Sequence, residues 1–281
     1  LVNSARIIRE IPHYRDFGIE VKDYAVHFDQ IQTRKRKVIA DLQKGIQFQL
    51  QRQKVEIIKG EAKILGVNEI SVNADPLKAK YIIIATGSKP AELPGLRFNQ
   101  DNIISSNEIL ALTSPPKSLL IVGGGAIGCE FASIFSSLGT QVTILEVLER
   151  LLPAEDADIS KKIETVFKKN GIKVLTKAKI EDKDLQDFEK ILVCVGRAFN
   201  TENLWEEKLA IKLERNRIAV NEFLQTSVEN IYAAGDCIGG KLLAHVAAYE
   251  GCLAAENIFG VRRAVDYNAI PNCTFTNPEI A

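Results

Sequence analysis

Residues Leu119–Glu146, LLIVGGGAIGCEFASIFSSLGTQVTILE, restrict the fold of this chain more than any other stretch. An apolar strand, SLLIV, runs into Gly123-Gly124-Gly125-Ala126-Ile127-Gly128. That run reads G-x-G-x-x-G and opens a helix, AIGCEFASIFSSLG. A second strand, QVTIL, then ends on Glu146, 23 residues after Gly123. The glycine pattern alone carries little weight, but between a buried strand and a helix, with an acid at this distance, it predicts a dinucleotide-binding βαβ unit. Gly123 permits the tight turn, Gly125 lets the backbone approach a pyrophosphate, and Gly128 lets the helix pack closely on the strand. The helix start offers unpaired N–H groups and about half a positive charge to phosphates. Glu146 is placed to accept both hydroxyls of an adenosine ribose, and its charge repels a 2′-phosphate, so the sequence predicts NAD rather than NADP. Arg150 could meet a 2′-phosphate, but it lies four residues past the strand end and counts for less than Glu146.

The rest of the chain alternates strands with helices, which predicts an α/β fold with a parallel sheet and crossover helices. Helices are expected at 3–10, 28–53 (with Ile31, Val38 and Leu42 on one face), 158–170 and through HVAAYEGCLAAENIFG. Strands are expected in VEIIKGEAKIL, EISVNA, KYIIIATG, IKVLT, EKILVCVGR and NIYAAGD, and TSPPKS reads as a linker. Three apolar strands run into glycine, at YIIIATG, ILVCVGR and IYAAGD. In open parallel sheets ligands bind beyond the carboxyl ends of the strands, so this repeated ending also points to cofactors.

A length of 281 residues suggests two domains at about 150 residues each. Lys+Arg and Asp+Glu are both 36, a balance with no global field for nucleic acid or an anionic membrane. The basic run TRKRK (33–37) reads as a solvated helix face. No stretch approaches the roughly 20 apolar residues of a membrane span, and no signal peptide is visible. The five cysteines are far apart and match neither a disulfide framework nor a zinc site; they read as small buried hydrophobes in a reducing, cytoplasmic setting, and no metal site is expected. The chain has no methionine and stops in mid-pattern at Pro278-Glu279-Ile280-Ala281, so it is expected to be a fragment or a processed chain.

ATGSKP, GGGAIGCEFA, TILEVLERLLP, CVGR and AAGD…LLAHVAAYEG occur here in the order found in flavoprotein disulfide reductases. The chain resembles these proteins over essentially its whole length, the dihydrolipoyl dehydrogenases most of all. The resemblance implies two Rossmann-like domains: an FAD domain in two parts, 1–115 and 226–264, with an NAD domain, 116–225, inserted between them, and the start of a truncated dimerisation domain at 265–281. It implies that Ala62, Thr86, Gly87, Ser88, Asp236, Leu242, Leu243, Ala244 and His245 contact FAD. It implies that Gly123, Gly124, Gly125, Ala126, Ile127 and Gly128 hold the NAD phosphates and Glu146 its ribose. Ile180 would flank the adenine, Gly196 would sit near the nicotinamide side, and Arg197 would be among the NAD contacts. Glu130 would stand beside the nicotinamide, paired in the family with a lysine near the redox cysteines. As a complete protein the expectation is a homodimeric enzyme passing electrons from dihydrolipoamide through a disulfide and FAD to NAD, with the lipoyl domain of a 2-oxo acid dehydrogenase complex as partner.

The chain departs from that family in ways that bear on chemistry. It contains no Cys-x-x-x-x-Cys, no first FAD-binding glycine turn and no His–Glu pair. Its histidines, His13, His27 and His245, are not in a base-like context, so no catalytic residue is assigned beyond Glu130 in a supporting role. The stretch between Lys179 and Phe188 is short and acidic where the family usually has two or three more strands, which is expected to leave a sheet edge exposed. Ala198-Phe199 replaces the usual Arg/Pro-type pair. Two alternatives stay open: a degenerate or split NAD-binding module without dithiol activity, and a related flavoprotein such as a mercuric reductase or soluble transhydrogenase.

Overall fold

The computed structural model describes residues 1–182 and 184–281. In chain order its elements are α1 (Val2–Glu10), α2 (Phe28–Arg52), β1 (Ala62–Gly66), β2 (Glu69–Val72), β3 (Asp75–Lys78), β4 (Ile82–Ile84), β5 (Ser88–Pro90), β6 (Ile103–Ile104) and α3 (Ser106–Ala111). There follow β7 (Ser118–Val122), α4 (Ala126–Ser137), β8 (Gln141–Leu145), α5 (Ala157–Lys169), β9 (Lys173–Leu175) and β10 (Lys190–Val193). The last are β11 (Arg197–Phe199), β12 (Leu213–Glu214), β13 (Arg217–Ile218), β14 (Ile231–Ala233) and α6 (Ala244–Ile258).

The chain divides into two compact units. The first comprises 1–52, 90–196 and 272–281, and the second 53–89 and 197–271. These units cut the chain differently from the domain boundaries expected from sequence. Residues 90–115 fall in the first unit because β6 joins its sheet beside β10.

The first unit is built on a parallel five-stranded sheet in the order β6-β10-β7-β8-β9. Leu119–Val122 of β7 are buried in an unbroken apolar run, as a strand covered on both faces requires. Helix α4 buries Cys129, Phe131, Ala132, Ile134 and Phe135 beneath it. Helix α5 is amphipathic and seats Ile163 and Phe167 in the same core before ending at Asn170 and Gly171. Short α3 opens with a capping box between Ser105 and Glu108. Strand β9 is an edge, as expected from the shortened 179–188 stretch, in which 3₁₀ turns occupy Ile180–Asp182 and Leu185–Asp187. Lys183, in the same stretch, lies outside the described residues.

Helix α2 forms as the polar helix predicted, and the Val38 and Leu42 positions on its apolar face are 48% and 65% exposed. The helix is anchored instead at its start, where Phe28 is buried and the Gln32 amide donates to the Leu112 carbonyl at 2.8 Å. The strand predicted from Val55 begins only at Ala62, because the Asn73 side chain ties the preceding bend by accepting from Glu61 N–H and donating to Lys59 O.

The second unit holds an antiparallel meander, β1-β2-β3, and a parallel pair, β4 with β14. Its core gathers Ile64, Ile82, Ile84, Ile231, Tyr232, Ala233 and Leu253. Helix α6 is rich in small residues and approaches closely: a side chain at Gly235 would stand 3.1 Å from Ala247 Cβ.

Candidate functional site

In the first unit, the carboxyl ends of β7, β8 and β10 converge on the glycine turn. Sequence order reverses direction across the sheet at β7, since β8 lies on one side and β10 on the other, and such a switch point is where ligands bind in open parallel sheets. Gly123 N–H donates to Leu145 O at 2.9 Å, and Cys194 N–H donates to Val122 O at 2.9 Å. A Cβ at Gly128 would lie 2.0 Å from Gly123 O, so only glycine lets α4 sit this close to the turn. A Cβ at Gly125 would meet nothing within 4 Å. Gly125, in extended conformation, caps α4 without a side-chain acceptor, so the helix start faces open space with its donors unclaimed by a cap.

Glu146 follows β8 and is only 6% exposed. Its Oε2 accepts from Gly124 N–H at 2.6 Å and its Oε1 from Leu148 N–H at 2.7 Å. The acid is therefore fixed against the turn itself, and each oxygen keeps a further lone pair. Arg150 is directed elsewhere: its guanidinium donates to Pro153 O and Glu155 O. Ala126 is exposed and Ile127 half-buried in the first turn of α4. Ile180 is half-buried and packs against the cluster of Leu120, Leu145 and Ile191 on the same sheet. Gly196, with φ +133°, closes the segment after β10.

Two cysteines read as inert filler also serve the turn. The Cys129 thiol donates to Gly124 O at 3.3 Å, and the Cys194 thiol donates to Gly123 O at 3.4 Å. Burial pushes both thiols up, Cys194 to about 12, so both keep the protons they donate at neutral pH. All five cysteines are free.

Glu130, one turn into α4, accepts from Phe275 N–H at 2.9 Å through Oε1. Burial raises its pKa, and that hydrogen bond acts in the opposite direction. Arg9 of α1 reaches the same helix, donating to Ser133 O at 2.8 Å.

In the second unit, the residues after β4 and β14 meet. The Ser88 hydroxyl donates to Asp236 Oδ2 at 2.5 Å. The Thr86 hydroxyl donates to Asn200 O at 2.7 Å, and Asn200 N–H donates to Gly87 O at 3.0 Å. Arg197 lies in this unit too, bonded to Ser88. Leu242 and Leu243 are half-buried just before α6, while Ala244 and His245 are exposed in its first turn, His245 Nε2 lying 2.9 Å from Pro271 O. Ala62 stands apart from this gathering, exposed at the start of β1. His13 and His27 are exposed, as is most of the TRKRK run.

The sequence reading missed Glu250 of α6. It is 1% exposed, and its carboxylate accepts from Gly235 N–H at 2.7 Å and from the Tyr267 hydroxyl at 2.8 Å. An acid on the inner face of a helix of small residues was the only available signal. Among the described residues no group of three or more His, Cys, Asp or Glu could hold a metal ion, and no helix is long and apolar enough to cross a membrane.

The chain is similar to known proteins. The chain is 38% identical over its full length to dihydrolipoyl dehydrogenase of Chlamydia pneumoniae, covering 64% of that protein. It is 36% identical to a dihydrolipoyl dehydrogenase of Bacillus subtilis, covering 66%. The crystal structure of LpdA from Mycobacterium tuberculosis superposes with a TM-score of 0.89 at 26% identity, covering 99% of this chain and 66% of that one. The chain thus spans just under two thirds of the curated relatives it matches. The profile described as pyridine nucleotide-disulphide oxidoreductase matches residues 7–251, and the chain belongs to that family.

Proposed function

We propose that this chain is the cofactor-holding part of an NAD-dependent flavoprotein disulfide oxidoreductase of the dihydrolipoyl dehydrogenase type. The net reaction converts dihydrolipoamide and NAD⁺ to lipoamide, NADH and a proton. The observation that carries the reading is Glu146, held 2.6 Å from Gly124 N–H at the lip of an open glycine turn. The Gly123–Gly128 backbone and the start of α4 would hold the pyrophosphate, and Glu146 would accept from the adenosine ribose. Ile180 would flank the adenine, with Gly196 toward the nicotinamide. Glu130, half-buried with a raised pKa, would supply a carboxylate near the reacting ring.

FAD fits the second unit. Thr86, Gly87, Ser88 and Asp236 gather beyond the carboxyl ends of a parallel strand pair, the usual place for such a ligand, and Leu242, Leu243, Ala244 and His245 follow toward α6. When bound, flavin supplies two-electron exchange between a dithiol and a nicotinamide. The residues named here bind and orient; the dithiol and its base are not among them. The partner would be the lipoyl domain of a 2-oxo acid dehydrogenase complex, and the complete enzyme a homodimer.

The test is titration of the chain with NADH and NADPH, followed by nicotinamide fluorescence. NADH is expected to bind at least about tenfold more tightly than NADPH, since a buried acid repels the 2′-phosphate. E146Q is expected to remove most of that preference. Equal binding of the two nucleotides to the unaltered chain overturns the assignment. A second reading is a nucleotide-binding module without dithiol chemistry. It predicts NADH binding with no lipoamide turnover, and lipoamide reduction by this chain excludes it.

A further inference from the structure

Arg197 was expected among the NAD contacts, yet its hydrogen bonds run to Ser88, a residue read as an FAD contact. Its Nε donates to Ser88 Oγ at 2.6 Å, and a terminal nitrogen donates to Ser88 O at 2.8 Å. The same Nε lies 3.5 Å from Asp236 Oδ2. Ser88 Oγ, which accepts from Arg197, donates its own proton to Asp236 Oδ2 at 2.5 Å. The hydroxyl is a relay: the arginine fixes which way its proton points, and that proton fixes the carboxylate. Asp236 Oδ1 takes no hydrogen bond among the described residues. Arg197 and Asp236 side chains are 26% and 22% exposed, so the pair is shielded from much of the solvent that weakens surface ion pairs.

We propose that Arg197 is a positioning residue for the flavin site: through Ser88 it orients Asp236 so that Oδ1 is presented to a ligand hydroxyl. This rests on the reading of Ser88 and Asp236 as FAD contacts. A guanidinium is needed because its planar fork serves two acceptors on one residue, Ser88 Oγ and Ser88 O, while facing a carboxylate. A lysine ammonium is a point charge on a flexible stem and does not fix both.

The experiment is FAD titration of the flavin-free full chain, followed by quenching of flavin fluorescence and by visible circular dichroism of the bound flavin. The variants are R197Q, R197K, S88A, D236N and the double variant R197Q/D236N. R197Q is expected to weaken FAD binding about tenfold or more and to change the bound-flavin dichroism, with the thermal midpoint of the flavin-free chain little moved. R197K is expected to fall well short of rescue. The double variant is expected to bind FAD about as weakly as D236N alone, because the arginine acts through the aspartate. Multiplying losses in the double variant, meaning a direct arginine–ligand contact, overturn the proposal, as does R197Q binding FAD like the unaltered chain. Should R197Q fail to fold, S88A carries the test, since it removes the relay oxygen alone: loss of affinity together with altered dichroism supports the relay, and unaltered FAD binding overturns it. No FAD uptake by the unaltered chain removes the flavin reading and this inference with it; uptake that Arg197 and Ser88 variants leave unchanged removes only the inference.

Discussion

Single residues, Glu146 and Glu250 among them, decide polar commitments of this chain. Both are buried acids, but they are held for different ends. Glu146 meets the backbone of the glycine turn and keeps a further lone pair on each oxygen. Glu250 has both oxygens occupied, by Gly235 N–H and the Tyr267 hydroxyl, and ties α6 to the loop that carries Asp236. Burial raises the Glu250 pKa, outweighing those two hydrogen bonds, and it raises that of Tyr267 as well. The folded chain therefore holds the Glu250 proton more firmly than the unfolded chain. The stability from this site is fully present below about pH 4.5, its ordinary value, and declines as pH rises through the higher folded-state value. E250Q keeps an acceptor for Gly235 and a donor for the Tyr267 oxygen, so it is expected to cost under about 1 kcal/mol at neutral pH and to lose this pH dependence. E250A leaves the half-buried Gly235 N–H and the partly exposed Tyr267 hydroxyl without their partner and is expected to cost about 2 kcal/mol. Chemical denaturation at pH 5 and pH 7 reads both; an E250Q curve parallel to that of the parent at the two pH values would contradict the burial argument.

At the scale of elements, the strand–turn–helix unit depends on how closely α4 approaches β7. G128A places a methyl 2.0 Å from Gly123 O and 3.1 Å from Cys194 Sγ, so the helix start must shift. The expected cost is about 3 kcal/mol or more, with loss of NADH binding, measured by urea unfolding and nucleotide titration. G125A meets open space and is expected to fold with little penalty while weakening nucleotide binding, because its methyl stands where the phosphate backbone would approach. Both turn and acid were legible in the sequence, since a strand, a glycine spacing and a terminal acid act over a few tens of residues. The fate of α2 was not. Ile31, Val38 and Leu42 fall on one face of a polar helix, and burial is confined to Phe28 and Gln32 at its start. Periodicity states that a helix has an apolar side, and only the arrangement of neighbours states whether anything covers it.

For the whole molecule, two compact units each keep their own apolar cluster, one around Leu119, Ile121 and Phe135 and the other around Ile82, Ile231 and Leu253. Amide hydrogen exchange is expected to show the split. NADH should slow exchange at residues 123–128 and 146–148, leaving β14 and α6 unchanged. Protection appearing first at 231–238 would place the nucleotide in the wrong unit.

The sequence by itself determined the parallel α/β class, the glycine turn, the acid after β8 and the strands that end in glycine. Each of these follows from backbone conformations and hydrophobic periods that act locally along the chain. Tertiary structure alone decided the contacts of Arg197, which lies 109 residues from Ser88, while Ser88 lies 148 residues from Asp236. It also set two cysteine thiols on the carbonyls of the turn and closed Glu250 onto Gly235. A buried polar group must find its partner wherever the fold brings one within about 3 Å, and that meeting is set by packing between distant segments, which no local pattern encodes.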